Sequence, residues 1–286
     1  MPKQTTTTSD WTLTNPRNLD IIGNTEHPST TPTATLLLLH GFKGYKDYGF
    51  IPVLAQHLSR AGILVHRFNF SCSGMTNDIE TFARPDLFAL DTWTRQVEDT
   101  RCVIDAINDG TLEGANLPMF IAGHSRGGAT TLLAAARPPQ PTLAGVITIN
   151  AVDRCCGLSD EAQHTLLNDG YITTPSARTG QELRINASWL QEQLDDPDAH
   201  NILNLSAHIK PPALIMQGTD DQAIDPRAGQ RIANALSSVL LPIKGANHVL
   251  NTANPAPHGG PISPQLDFVR TQIESFVNTN STKTPI

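Results

Sequence analysis

The stretch Phe120-Ile-Ala-Gly-His-Ser-Arg-Gly-Gly-Ala-Thr130 decides the fold, because it places Gly123-His124-Ser125-Arg126-Gly127 between an apolar run and a small-residue helical pattern. The run from Pro118 to Ala122 predicts a buried strand, and residues 128 to 136 predict a helix. Ser125 then lies on the sharp strand-to-helix turn called a nucleophile elbow, which exposes its Oγ. Such a turn strains the serine backbone and brings strand and helix close together, so the glycines on either side have a steric role.

Two later segments place an acid and a base in the order that such an elbow requires. The apolar run 212–217 opens into the polar loop Gly218-Thr-Asp-Asp-Gln-Ala-Ile-Asp-Pro226, and the run 238–243 is followed by Lys244-Gly-Ala-Asn-His248. Both follow the C-terminal ends of predicted strands, which in an open parallel sheet face one crevice. A serine needs an imidazole to take its proton, and the imidazole needs a carboxylate to hold its tautomer. We therefore predict a triad of Ser125, an aspartate near 221, and His248.

A fourth element supplies candidate donors for an oxyanion. Residues 34–39 form an apolar run that ends in His40-Gly41-Phe42-Lys43-Gly44. Removing one donor to a tetrahedral oxyanion costs roughly two to three orders of magnitude in rate, so an acyl-transfer site needs backbone N–H groups at this position. We assign them to Phe42 and to Arg126, the residue that follows the nucleophile.

Six segments between about Leu36 and Phe276 together carry a family resemblance. They are His40–Asp47, Val65–Gly74, the elbow, Ser176–Gln181, the Gly218-Thr-Asp-Asp loop and Gly245–His248. In this order they resemble the α/β-hydrolase superfamily, and within it the bacterial esterase-type hydrolases related to cinnamoyl (feruloyl) esterases, dienelactone hydrolases and serine aminopeptidase-like proteins.

The resemblance implies an α/β fold, with a mostly parallel central sheet, helices on both faces and a lid insertion in a single domain over 1–286. In the family pattern Gly-x-x-Asp-x-x-Val/Ile, Gly218 and Ile224 frame Asp221, which makes Asp221 the acid and Asp220 a turn residue. Dienelactone hydrolases carry a cysteine nucleophile and haloalkane dehalogenases an aspartate, whereas position 125 is serine. The resemblance therefore favours ester hydrolysis, with no metal or organic cofactor.

Composition is that of a soluble globular enzyme. The chain has 286 residues, 39% of them hydrophobic, and can bury a large core. Its net charge of −7, without a basic stripe, argues against a nucleic-acid or anionic-membrane partner. No apolar run approaches the roughly 20 residues needed to span a bilayer, and the N-terminus shows no signal peptide. The partner we expect is a small-molecule ester substrate; the sequence leaves the oligomeric state open.

The cysteines point to a reducing compartment. Cys72, Cys102, Cys155 and Cys156 show no CxxC spacing. Without a secretion signal or metal-type spacing, we expect free thiols in a cytoplasmic protein.

Apolar runs and helical patterns alternate along the chain, which implies right-handed crossovers in a mostly parallel sheet. Residues 11–22 predict an antiparallel hairpin at one sheet edge. The remaining predicted strands lie near 34–39, 63–69, 118–122, 143–149, 212–217 and 238–243, and the helices near 48–61, 89–108, 127–137, 226–236 and 264–278.

Residues 151–208, called the insertion below, are too long for a simple connection between a helix and a strand. We expect a lid over the active site, with an inert structural cap as the alternative. Within it, Arg178-Thr-Gly-Gln181, between Tyr171-Ile and Leu183-Arg-Ile, predicts a small hairpin turned by Gly180.

Several side candidates have simpler explanations. Asp225 is a further candidate acid, and His258, in a Pro- and Gly-rich stretch, is more typical of a loop histidine than of the base. His40 and His124 are expected to be hydrogen-bonded structural histidines. The Arg126 side chain fits a solvated or salt-bridged residue better than a ligand for an anionic substrate group. The last group, Asn69, Ser71 and Ser73, follows a strand end where polar residues need no catalytic role.

The predicted function is hydrolysis of carboxylic esters with small or medium acyl groups through an acyl-enzyme. An amidase, aminopeptidase-like or thioester hydrolase activity on the same triad is an alternative. A non-catalytic ligand-binding protein is another, because fold does not fix function.

Overall fold

A single eight-stranded sheet forms the centre of the molecule in the computed structural model, which describes residues 6–256 and 261–281. Its strands in chain order are β1 (Thr7–Thr14), β2 (Asp20–His27), β3 (Ala34–Leu39), β4 (Ile63–Asn69), β5 (Met119–His124), β6 (Gly145–Ile149), β9 (Ala213–Gly218) and β10 (Leu240–Ile243), with β7 (Tyr171–Pro175) and β8 (Glu182–Asn186) in a separate hairpin.

The strand order is β1-β2-β4-β3-β5-β6-β9-β10. The six strands from β4 to β10 pair in parallel, and β1 and β2 form an antiparallel edge. The predicted edge hairpin and the mostly parallel sheet are therefore confirmed. Since β5, β6, β9 and β10 are neighbours, their C-terminal ends bring the predicted triad segments to one edge.

Helices cover both faces of this sheet. They are α1 (Phe50–Arg60), α2 (Pro85–Phe88), α3 (Trp93–Asn108), α4 (Arg126–Ala136), α5 (Asp160–Asp169), α6 (Ser188–Asp195), α7 (Ile202–Ser206), α8 (Arg227–Ala235) and α9 (Pro264–Asn280), with a 3-10 turn at Asp198–His200. On one face, α1 and α9 pack against alternate side chains of the strands, such as Leu36 and Phe120. On the other, α3 and α4 cover the intervening ones, such as Leu37 and Ile121. This alternation is why the central strands have almost uninterrupted apolar sequences.

The expected helix at 89–108 begins later than predicted. The chain forms the short helix α2, leaves helical geometry, and starts α3 at Trp93, where the Thr92 side chain accepts a hydrogen bond from Arg95 N–H at 3.3 Å. Threonine is a favoured N-cap because its hydroxyl satisfies an N–H of the first turn that has no helical partner. The Glu192 carboxylate of α6 accepts from the N–H groups of Trp93 and Thr94 as well. This break places Asp91 next to the elbow.

The insertion contains α5, the β7–β8 hairpin, α6, the 3-10 turn and α7. The predicted hairpin is present: β7 pairs antiparallel with β8, and Gly180 has φ 70° in the turn. Within the part of the chain described, no helix is long and apolar enough to cross a membrane. The four cysteines are free.

Candidate active site

Ser125 occupies the strained turn that the sequence predicts. It lies between β5 and α4 with φ 55° and ψ −122°, a left-handed backbone conformation that is uncommon for a residue with a side chain. Its N–H donates to the Ile149 carbonyl of β6 at 2.9 Å, and only 8% of the residue is exposed. An unfavourable backbone held by surrounding bonds is a feature that clusters at functional sites.

The glycines around Ser125 are required by close backbone contacts. A Cβ on Gly123 would lie 2.1 Å from the Gly127 carbonyl oxygen, and a Cβ on Gly127 would lie 2.4 Å from the His40 carbonyl oxygen. A Cβ on Gly41 would approach the Cβ of Ser125 to 3.0 Å. The His40–Gly44 loop therefore lies directly beside the nucleophile candidate.

Asp221 and His248 are brought together by the loops that follow β9 and β10. His248 Nδ1 lies 2.9 Å from Asp221 Oδ2, and Asp221 is 4% exposed. Its other oxygen, Oδ1, accepts from the N–H groups of Ala223 and Ile224 at 2.9 and 3.0 Å. Burial alone raises the pKa of the Asp221 carboxyl, but the hydrogen bonds from His248 and from these backbone groups outweigh it and lower the pKa below its usual value. An ionised Asp221 holds a proton on Nδ1 and leaves Nε2 of His248 as the basic nitrogen.

Among the described residues, no hydrogen bond links Ser125 Oγ to His248. The structure therefore shows the acid–base contact of the predicted triad and not the base–nucleophile contact. Serine–histidine contacts of this kind are often long until substrate is bound.

The other candidate acids lie elsewhere. Asp220 is exposed, and the Thr219 hydroxyl, at 2.8 Å, is the only described group that donates to its carboxylate. Asp225 is exposed and pairs with Arg227 and Arg231. Neither carboxylate contacts His248, while His258 lies outside the described residues.

Asn150 and His124 both bond to the carbonyl of His248, and our sequence analysis assigned no role to Asn150. Asn150 follows β6 with φ 50° and donates its side-chain N–H to the His248 carbonyl at 2.9 Å, while its Oδ1 accepts from Gly218 N–H at 2.7 Å. It thus joins the strand that carries the acid to the loop that carries the base. His124 Nε2 lies 2.7 Å from the same His248 carbonyl and must donate to it. An asparagine directly after an apolar strand was the only available signal, because its partners are about 70 and 100 residues away in the chain.

The two N–H groups predicted to bind an oxyanion lie in segments next to Ser125. Phe42 lies in the loop that packs against Ser125, and Arg126 is the first residue of α4, where N–H groups have no helical partner. Neither N–H donates a hydrogen bond to any other described group. Both are therefore available to an oxygen atom bound next to Ser125.

Comparison with solved structures bears on the fold. Est1E from Butyrivibrio proteoclasticus superposes with a TM-score of 0.70 at 15% identity, covering 96% of this chain and 99% of its own. The α/β-hydrolase GrgF from Penicillium sp. sh18 gives 0.70 at 17%, covering 97% and 100%. A structure reported for LipS and LipT, two metagenome-derived lipolytic enzymes, gives 0.65 at 22%, covering 88% and 96%. The protein has the α/β-hydrolase fold.

The sequence comparison is more limited. Residues 30–155 match the family model described as serine aminopeptidase, S33, a stretch that runs from just before β3 to the start of the insertion. No curated protein matches the chain significantly. These findings confirm the expected fold and the resemblance to α/β-hydrolases.

The Arg126 side chain is buried rather than solvated. Its guanidinium lies 4.5 Å from the ring centroid of Trp93 and 5.5 Å from that of Phe42. Nη2 is 3.2 Å from Asp91 Oδ2, but its N–H is not aligned for a hydrogen bond, so the pair is held by charge and packing. Burial raises the pKa of Asp91 to about 6, although Arg126 opposes the shift. The salt-bridged interpretation of this side chain is confirmed.

His40 is a structural histidine, as expected. Its Nδ1 lies 2.8 Å from the Gly41 carbonyl and must donate to it, while Nε2 accepts from Phe70 N–H at 3.4 Å. Burial lowers the pKa of His40 to about 4, so the ring is neutral and keeps this tautomer.

The polar residues at and after the end of β4 also hydrogen-bond to other groups of the protein. Asn69 Oδ1 accepts from Lys46 N–H at 2.7 Å, and Ser71 N–H donates to Asp99. The Ser73 hydroxyl accepts from Met75 N–H. Within residues 6–256 and 261–281, no group of three or more His, Cys, Asp or Glu side chains is arranged to hold a metal ion.

Proposed function

We propose that this protein is a serine hydrolase that cleaves carboxylic esters of small or medium acyl groups. The observation that carries the proposal is the arrangement of Ser125 in the strained elbow beside the ordered pair of Asp221 and His248. The structural similarity to Est1E and to lipolytic enzymes is consistent with it.

In the proposed reaction, Ser125 Oγ attacks the ester carbonyl and His248 Nε2 takes its proton. The ionised Asp221 carboxylate stabilises the resulting imidazolium without becoming protonated. The tetrahedral oxyanion accepts hydrogen bonds from the N–H groups of Phe42 and Arg126, which have no competing partner among the described residues. The imidazolium then protonates the leaving alkoxide, and an acyl group remains on Ser125.

Deacylation repeats these steps with water as the nucleophile. His248 takes a proton from the water, the hydroxide attacks the acyl carbonyl, and the same N–H groups bind the second oxyanion. Return of the proton to Ser125 releases the carboxylic acid. Each step uses only side chains and backbone groups of this chain.

The family model matched by residues 30–155 favours aminopeptidase activity as a second candidate. An aminopeptidase needs a carboxylate to receive the substrate ammonium. Asp91 is the buried carboxylate next to the elbow, and it is already paired with Arg126 and accepts from Gln96 at 2.9 Å. This engagement of Asp91 favours the ester over the peptide substrate.

A single substrate panel tests the proposal. We expect hydrolysis of p-nitrophenyl esters in a series of increasing acyl length, and little or no hydrolysis of aminoacyl-anilides assayed beside them. Ser125→Ala serves as the inactive control. Preference for the anilides would establish the aminopeptidase activity. If neither series were hydrolysed, the result would favour a non-catalytic ligand-binding protein.

A further inference from the structure

Lys43 connects the loop beside the nucleophile to the insertion. Its Nζ donates to Thr174 Oγ1 at 2.7 Å and to the Pro175 carbonyl at 2.6 Å, both on β7. Lys43 directly follows Phe42, whose N–H is a proposed oxyanion donor. One side chain therefore links that donor to a hairpin more than 130 residues away in the chain.

The loop that carries Lys43 is a tight turn, so a displacement of Lys43 also displaces the adjacent Phe42. Gly44 N–H donates to the Gly41 carbonyl at 3.0 Å, and Lys43 between them has φ 57°. A left-handed conformation at this position of a turn normally favours glycine or asparagine. A lysine held there needs support from elsewhere, and its two hydrogen bonds to β7 provide it.

The hairpin is itself fastened to the body of the protein on its other side. The Gln181 side chain accepts from Thr81 Oγ1 at 3.0 Å and from Phe82 N–H at 2.8 Å. Leu183 of β8 is fully buried in an aromatic cluster that includes Phe82 and Phe88. The Phe88 ring in turn lies 5.5 Å from the ring of Phe42. Hairpin docking thus reaches Phe42 by a polar route through Lys43 and an apolar route through Phe88.

We propose that Lys43 is a positioning residue that ties the His40–Gly44 loop to the insertion hairpin, so that the Phe42 N–H is oriented for catalysis only while the hairpin is docked. The inference rests on the proposed function, and it gives the insertion an active part in the site rather than that of an inert cap. Lys43 does not touch the reacting atoms; it acts through Phe42.

The coupling can be measured without any substrate. Lys43→Met keeps the side-chain stem and the Cβ, so backbone strain is unchanged while the donors are lost. We expect amide hydrogen exchange at Gly44, whose N–H donates to the Gly41 carbonyl, and along β7 to accelerate together by about tenfold, because hydrogen bonds from charged groups stabilise by about that factor or more. Thr174→Val, on the far side of the contact, should accelerate exchange at Gly44 by a smaller factor.

Matched controls are available on both sides. Thr173→Val alters the preceding β7 residue, which is exposed, and Lys210→Met removes an exposed lysine. Neither should change exchange at Gly44. Unchanged exchange there in both Lys43→Met and Thr174→Val would overturn the inference, whatever the enzyme hydrolyses.

Ester kinetics provide the second readout. Lys43→Met should lower kcat by about tenfold to a hundredfold, with KM changed less than about twofold. The reason is that a displaced oxyanion donor stabilises the transition state less but leaves substrate binding nearly unchanged. The inhibition constant of a trifluoromethyl ketone, which forms the oxyanion, should weaken in proportion. Lys43→Arg should restore most of the lost kcat, since it can donate to the same oxygens.

The two proposals fail in different ways. A raised KM with unchanged kcat in Lys43→Met would mean that Lys43 only fastens the hairpin, and would overturn its positioning role while the esterase stands. Absence of ester hydrolysis by the wild-type protein would overturn the proposed function, and hydrogen exchange would still decide whether the loop and the hairpin are coupled.

Discussion

Replacement of Asp221 by asparagine changes one atom in the contact on which the proposed mechanism depends. Asp221 Oδ1 accepts from two backbone N–H groups, and Oδ2 accepts from His248 Nδ1 and from Gln217 Nε2 at 3.1 Å. An asparagine that keeps both backbone bonds must turn its NH2 group towards His248. The buried Gln217 Oε1 has no hydrogen-bond partner in the described part of the chain and can accept from that NH2 group if the Gln217 amide turns over.

In this orientation the asparagine side chain has its hydrogen bonds, but it holds His248 in the wrong tautomer for catalysis. With a donor facing Nδ1, His248 places its proton on Nε2 and cannot accept the proton of Ser125. We expect Asp221→Asn to lower kcat by up to about four orders of magnitude, or about 5.5 kcal/mol in barrier, while the fold stays intact.

Asp220→Asn is the matched control, because it makes the same change one residue away. Asp220 is exposed, and its carboxylate accepts from the Thr219 hydroxyl. Loss of that contact should keep activity within about tenfold, or about 1.4 kcal/mol in barrier. The assay is p-nitrophenyl acetate hydrolysis with thermal unfolding as a check of folding. If Asp220→Asn were inactive and Asp221→Asn active, our assignment of the acid would be wrong.

Three further outcomes follow from the structure. Asn150→Asp keeps the acceptor for Gly218 but places a carboxylate against the His248 carbonyl, so kcat should fall by roughly tenfold or more with little change in KM; unchanged kinetics would show that Asn150 does not position the base. Burial lowers the pKa of His66 from 6.5 to about 4, so its neutral ring contributes stability above pH 6.5 that is lost as the pH falls towards 4, on the order of 3 kcal/mol. The free energy of unfolding in urea should therefore differ less between pH 7 and pH 5 for His66→Gln than for the wild type. An equal difference in the two proteins would contradict this. Shortening the β7–β8 hairpin should shift the preferred acyl length in the p-nitrophenyl series, whereas an unaltered profile at lower overall rate would mean that the hairpin does not line the acyl site.

The parts of the fold that the sequence predicted are those with local causes. The elbow is set by glycines within two residues of Ser125, and the central strands by short apolar runs. The hairpin of the insertion was predicted from its turn at Gly180. In the sequence, only the family pattern distinguished Asp221 from Asp220 as the acid. The structure supplies the physical difference, because the Asp221 carboxylate is buried against His248 and that of Asp220 is exposed.

What the sequence could not predict depends on contacts between distant residues. The start of α3 is fixed partly by Glu192, about 100 residues further along the chain. Arg126 is buried where it packs on the Trp93 ring and pairs with Asp91, and a lone arginine after a serine gives no sign of that. Lys43 and Asn150 likewise obtain their partners only from the folded chain.

Covalent labelling of the nucleophile tests the central claim most directly. A fluorophosphonate probe reacts only with a serine that is activated by a base and lies beside oxyanion donors. Our account predicts that the intact protein is labelled at Ser125, as mapped by peptide mass spectrometry, and that Ser125→Ala is not labelled. Labelling at another serine, or equal labelling of Ser125→Ala, would contradict it.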